Sequence, residues 1–139
     1  MKITNFACIA IISCLFNQTA LAKNNPITYK NGRNSMLTLQ FNTDNSLTGS
    51  FTNAVASKAC PQSVGVKRPI QGYTAENTIT IIVNYPDCAT VVTFIGSLKN
   101  DKKIIDTTAL VAYQTSKDNF ASLMLTHDVF KVLSKSNSF

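Results

Sequence analysis

The chain has 139 residues, a formal net charge of +6 and a single histidine. That length suits one domain rather than two. The basic residues are scattered, only Lys67-Arg68 and Lys102-Lys103 being adjacent, and neither pair sits among aromatics, so nucleic-acid binding by base stacking is not expected.

The first segment reads as an export signal. Lys2 precedes the apolar run Phe6 to Phe16, and Ala20-Leu21-Ala22 supplies a small-x-small cleavage site. Residues 1–22 are therefore expected to be a signal peptide and residues 23–139 the mature domain, with a charge of +5 once Lys2 is gone. A lipoprotein cleavage before Cys14, on Ile11-Ile12-Ser13, is the alternative. The apolar run is too short to span a bilayer, and no later run approaches ~20 apolar residues. A secreted or periplasmic location follows. Cys60 and Cys88 are the cysteines left after cleavage. In an oxidising compartment an even pair is expected to bond, the alternative being two buried free thiols.

Beyond the leader, β-branched residues alternate with polar ones between short turn signals, and no long helical period occurs. Strands are expected at about 26–31, 35–42, 46–54, 67–73, 78–85, 89–98, 104–114 and 120–132. Asn31-Gly32-Arg33-Asn34, Thr43-Asp44-Asn45, Thr74-Ala75-Glu76-Asn77, Lys99-Asn100-Asp101-Lys102 and Ser116-Lys117-Asp118-Asn119 supply turns. The pattern predicts an all-β fold, an eight-stranded antiparallel up-and-down β-barrel whose interior admits one small ligand. A β-sandwich is the alternative. The segment Ala56 to Val66 is the longest connection, and Cys88 lies in the connection after the fifth strand. In a meander these two loops emerge at one end, so a Cys60–Cys88 bond would tie them across the barrel mouth. It would also lower the ordering cost of ligand capture.

Strand side chains alternate in direction, so parity sorts interior from exterior. Phe51 and Asn53 share a face. Thr90, Val92 and Phe94 share another, and Asp128 and Phe130 go with Met124 and Thr126. A carboxylate inside a small barrel is costly unless something donates to it. Asp128 must therefore be partnered by the protein or by a ligand with N–H groups.

Four blocks recur in order with compatible spacing. They are Tyr29-x-Asn31-x-x-x-Ser35; Leu47-Thr48-Gly49-Ser50-Phe51-x-Asn53-Ala54-Val55; Val83-Asn84-Tyr85 followed by Thr90-x-Val92-x-Phe94-x-Gly96; and Phe120 followed by His127-Asp128-x-Phe130. Together, over about Tyr29 to Leu133, they resemble the avidin and streptavidin family of biotin-binding barrels. The cysteine pair resembles the loop-to-loop bridge of the dimeric bacterial avidins.

The resemblance implies a ligand site residue by residue. Asn31 and Ser35 match donors to the ureido oxygen of biotin, and Asp128 matches the acceptor for one ureido N–H. Asn53 stands where a serine or threonine accepts from the other N–H. Thr90 matches a hydroxyl at the valeryl carboxylate, with backbone N–H groups near Ala54 and Val55. Tyr85, Phe94, Phe120 and Ala109 stand at the four positions of an aromatic box that the family builds largely from tryptophan, which this chain lacks. Phe120 is the one a neighbouring subunit would receive. Phe51 replaces a tyrosine whose hydroxyl is a third oxygen donor, and Val92 replaces a threonine at the thioether sulfur. Non-covalent affinity saturates at about −18 to −21 kcal/mol, a ceiling that biotin–streptavidin itself illustrates. Each unmade buried hydrogen bond costs ~1–3 kcal/mol, and each large aromatic truncated to alanine ~3–5 kcal/mol. Reduced, reversible binding of biotin or a biotin-like ureido compound is expected.

No catalytic constellation competes with this reading. His127 precedes Asp128 on one strand, so their side chains point to opposite faces. One histidine and two cysteines make no zinc set, and no Gly-rich phosphate loop opens a helix. Neither a cofactor nor a metal is expected, and biotin is the candidate ligand. Leu123, Leu125 and Val129, with Leu110 and Ala112, form an outward apolar stripe, which predicts a homodimer or homotetramer. A barrel that has lost biotin and acts as a protein-interaction or inhibitor module is the alternative function.

Overall fold

The computed structural model of the chain describes residues 25–55, 60–114 and 124–133. The expected signal peptide, the alternative lipoprotein cysteine Cys14, and the positions Phe120 and Leu123 lie outside the described residues.

Eight strands run in chain order: β1 (Ile27–Asn31), β2 (Met36–Phe41), β3 (Ser46–Thr52), β4 (Lys67–Ala75), β5 (Thr78–Tyr85), β6 (Thr90–Lys99), β7 (Ile104–Tyr113) and β8 (Met124–Val132). Each pairs antiparallel with the next, and β8 returns to β1 to close a barrel. Closure removes the free edges that an open sheet of these strands would expose. The expected up-and-down barrel is the observed one. The strand limits shift most at two places. β3 leaves its ladder after Thr52, and Asn53 instead bridges Val64 in the long loop. β4 continues to Ala75, opposite Thr78, so the turn into β5 is only Glu76-Asn77, with Glu76 left-handed at φ 53°.

The period-2 pattern explains the interior. Along β5, Ile79, Ile81, Val83 and Tyr85 are buried while Thr78, Ile82 and Asn84 are exposed. Fully buried Tyr29, Leu37, Leu39, Leu47, Ile105 and Phe130 join the same core. Two glycines let neighbouring strands approach closely. A Cβ on Gly49 (φ +146°) would lie 1.9 Å from the carbonyl oxygen of Thr38, and one on Gly96 1.9 Å from that of Asp106. No side chain fits at either position.

The two ends differ. At one, tight turns cover the core: Tyr29 Oη donates to the Lys102 carbonyl at 2.8 Å, and Lys102 Nζ stands 4.4 Å from the Phe41 ring centroid. At the other lie the β1–β2 turn, the long β3–β4 loop and the β5–β6 connection. Cys60 and Cys88 form a disulfide joining these last two loops, with Cα atoms 5.7 Å apart. Among the described residues no helix is long and apolar enough to cross a membrane.

Candidate functional site

The loop-bearing end holds a cavity of about 360 Å³, at the lower end of the range for small-molecule sites. Asn31, Ser35, Phe51, Asn53, Tyr85, Thr90, Val92, Phe94, Ala109 and Asp128 all line it. Every candidate ligand residue from the sequence thus meets in one space, except Phe120, which lies outside the described residues.

The polar floor is built from the end of β1. Asn31 Oδ1 accepts from the backbone N–H of Arg33 (3.1 Å) and of Ser35 (2.8 Å). These bonds shape the turn, in which Asn34 takes a left-handed φ of 70°. With its oxygen so occupied, the Asn31 amide group faces inward and Nδ2 donates to Asp128 Oδ2 at 2.9 Å. The partners dictate this orientation, because a flipped amide would set oxygen against carboxylate and nitrogen against N–H. Asp128 is 6% exposed. It sits on β8 beside Thr107, whose hydroxyl donates to the Asp128 carbonyl at 2.9 Å.

Ser35 and Asn53 form the neighbouring corner. Ser35 Oγ donates to Asn53 Oδ1 (3.2 Å) and accepts from the Ala54 N–H (3.0 Å), while the Val55 N–H reaches Asn53 Oδ1 at 3.4 Å. The backbone N–H groups of Ala54 and Val55, expected to face a ligand carboxylate, point instead to side chains of the polar floor. They do so because β3 has left its ladder, and these N–H groups need new acceptors.

Arg33 is the residue that strand parity did not single out. Extended by two residues, the register that pairs Asn31 with Phe130 sets Arg33 opposite Asp128. Its Nη2 reaches Asp128 Oδ2 at 2.7 Å, with the arginine side chain 47% exposed. The signal was present in that pairing register but not in the turn sequence, which has no alternation to follow. Val111 and Tyr113, also lining the cavity, follow Ala109 by the same parity and could have been added by it. Ser63 and Gln114 come from connections and carried no such signal.

Aromatic rings form the inner wall. Phe51 and Phe94 line the cavity, and with Phe130 behind them they make a triad with centroids 5.3 to 6.3 Å apart in tilted and edge-on arrangements. Ala109 lies between Phe94 and Thr126 in register and contributes no bulk. Val92 is half-buried beside the core.

Nearer the disulfide, Tyr85 is 4% exposed, and among the described residues its hydroxyl has no hydrogen-bond partner. Burial pushes that hydroxyl up to about 12, opposed by the nearby Arg68 charge. Arg68 shares the inward face through its pairing with Phe51. It stands 5.8 Å from the Tyr85 ring centroid and ion-pairs with Asp87. Thr90 Oγ1 donates to the Cys88 carbonyl at 2.8 Å, so its hydrogen faces the loop backbone.

The outer face carries the histidine. His127 Nε2 lies 2.7 Å from Asp106 Oδ1 on β7, and Lys99 pairs with the same carboxylate. Those partners, Lys99 foremost, hold the Asp106 carboxyl below the usual carboxylate range. His127 and Asp128 point to opposite sides of β8, as alternation requires. Leu125 is 67% exposed and pairs across the sheet with half-buried Leu110. A further depression of about 650 Å³ lies outside the barrel where β1 meets β8, and Arg33 and Asp128 border it as well.

The model of the Avidin family matches residues 21–133. Comparison with curated protein sequences finds no match. Among solved structures, the bradavidin2–biotin complex is 22% identical with a TM-score of 0.67, covering 80% of this chain and 99% of that one. The rhizavidin–biotin complex is 16% identical with a TM-score of 0.68, covering 84% and 98%. Intact afifavidin in its apo form is 24% identical with a TM-score of 0.68, covering 81% and 84%. These likenesses establish the common fold.

Proposed function

The chain belongs to the avidin family, and on that premise we propose that it binds biotin or a biotin-like cyclic urea reversibly in the barrel cavity, without catalysing a reaction. The buried Asp128 carboxylate on the cavity floor carries this reading, since it is an acceptor placed beside Asn31, Ser35 and Asn53. A cyclic urea presents two N–H donors and one strongly accepting oxygen. Asp128 and Asn53 Oδ1 are the acceptors for the donors. The second Asn31 Nδ2 hydrogen and a rotated Ser35 hydroxyl are the donors for the oxygen. The ligand's apolar part packs on Phe51 and Phe94, and its tail runs toward Tyr85 and Thr90.

Affinity falls below the ceiling of non-covalent binding for stated reasons. Phe51 offers no hydroxyl. The Ser35 and Thr90 hydrogens must leave protein acceptors before they can serve a ligand, and the Ala109 position leaves one wall thin. Each unmade buried bond costs about 1–3 kcal/mol. The disulfide fits an extracytoplasmic setting. The exposed Leu125 beside Leu110 is the surface for assembly into a homodimer or homotetramer.

Isothermal titration with biotin and retention on biotin and desthiobiotin resins test the reading. Binding that Asp128→Ala and Asn31→Ala abolish supports it. Absence of heat at millimolar biotin overturns it, as does retention that neither substitution affects. The latter outcome favours an interaction module acting through the loops.

A further inference from the structure

The Arg33 guanidinium is a charged donor on the acceptor that a cyclic urea needs. It lines the cavity, it reaches Asp128 Oδ2 at 2.7 Å, and it shares that oxygen with Asn31 Nδ2 at 2.9 Å. Asp128 is buried and cannot leave, whereas the Arg33 side chain is 47% exposed and springs from a turn. Both residues also border the depression outside the barrel, so the guanidinium has room to swing away from the carboxylate.

We propose that Arg33 determines the specificity of the pocket by competing with the ligand N–H for Asp128. A charge-assisted bond from a guanidinium outweighs one from a neutral urea N–H. A ligand must therefore displace Arg33 or accept a carboxylate whose charge is already neutralised. In both cases the pocket binds a neutral cyclic urea more weakly than its geometry allows. The inference rests on the cyclic-urea reading of the cavity. It differs from the effects of Phe51 and Ala109, which remove contacts; Arg33 occupies one.

The test is titration calorimetry near neutral pH with biotin and with biotin methyl ester, on the full mature chain. Arg33→Leu is expected to tighten both ligands about 10- to 100-fold, the scale of one hydrogen bond to a charged group. Arg33→Gln, which is polar but shorter and uncharged, should also tighten them, and Arg33→Lys, which keeps the charge, should stay near the parent. Using the ester separates competition at Asp128 from attraction between Arg33 and a ligand carboxylate, because an equal gain with both ligands excludes the latter. Thermal melting of the variants establishes that the barrel persists. Binding by Arg33→Leu and Arg33→Gln that equals or falls below the parent overturns the inference while leaving the ligand reading intact. No binding by parent or variants overturns the ligand reading and this inference with it.

Discussion

The two ends of this barrel are made from the same strands but solve different problems. At the closed end, apolar side chains fill the interior and the Tyr29 hydroxyl has its acceptor in the Lys102 carbonyl. At the loop-bearing end there is a cavity, a Tyr85 hydroxyl with no partner among the described residues, and a ring of polar groups that bond to one another. Tyr29 and Tyr85 show the difference in one residue type. Burial raises both hydroxyls to about 12, but among the described residues a protein carbonyl meets only the first. A folded chain leaves a buried donor unmet at a cost of about 1–3 kcal/mol. Packing and hydrogen bonding are thus completed at one end, while the other keeps a cavity bordered by polar groups.

The comparison breaks most visibly if a closed-end residue can be lost without harm. Ile79, beside the β4–β5 turn, is fully buried, and Ile79→Ala should destabilise the barrel by about 2–5 kcal/mol through lost transfer energy and a residual cavity. Urea unfolding followed by circular dichroism measures it. A change under about 1 kcal/mol would mean that the closed end is not packed as described.

At the loop-bearing end the main support is covalent. The Cys60–Cys88 bond spans a separation of 28 residues, for which the chain-entropy model gives about 3–4 kcal/mol. The double substitution Cys60→Ser with Cys88→Ser, or reduction with dithiothreitol, should lower the unfolding midpoint accordingly. It should also weaken ligand binding by loosening the two loops beside the cavity. A barrel that melts identically with and without reductant would place the support elsewhere.

Phe51→Tyr sharpens the comparison from the ligand side. Phe51 already faces the cavity within the aromatic triad, so a hydroxyl there adds the missing third donor. Titration calorimetry should show biotin binding strengthened by about 1–3 kcal/mol, with little change in melting temperature. The opposite pattern, a drop in stability without a gain in affinity, would show that the triad has no room for one more atom.

How much of this was legible in the sequence depended on alternation. Where a strand alternates, face-sharing positions could be grouped: Phe51, Val92, Phe94 and Asp128 fell out of parity, Ala109 came from the family resemblance, and all five line the cavity. The fold followed from the same pattern plus turn chemistry. Alternation stops at strand ends, and there the reading stopped too. Arg33 sits in a turn, and its reach to Asp128 depends on how β8 closes against β1, a pairing between residues about a hundred positions apart. The partners of Ser35 and Thr90 were equally hidden. A hydroxyl can donate or accept with equal ease, and only the position of the departing β3 backbone and of the Cys88 carbonyl decides which.

The smallest expected effects lie in single polar atoms and in one surface charge. Tyr85→Phe removes a buried hydroxyl without a partner among the described residues, so it should leave stability unchanged or raise it by up to about 1 kcal/mol. Any loss of ligand affinity in that variant then reports a contact made only in the complex. On the outer face, Lys99 and His127 hold the Asp106 carboxyl below its ordinary value of 3.8. A depressed folded value means that this group stabilises the barrel above the ordinary carboxylate range, and that the contribution is lost as pH falls through the lowered value. Asp106→Asn should therefore lower stability slightly near neutrality, flatten the acid limb of the profile, and converge with the parent in strong acid. Unfolding midpoints measured from neutral pH down to strong acid check this. A variant curve parallel to the parent's throughout would mean that the Asp106 contacts on β6 and β8 are solvent-averaged and stabilise nothing.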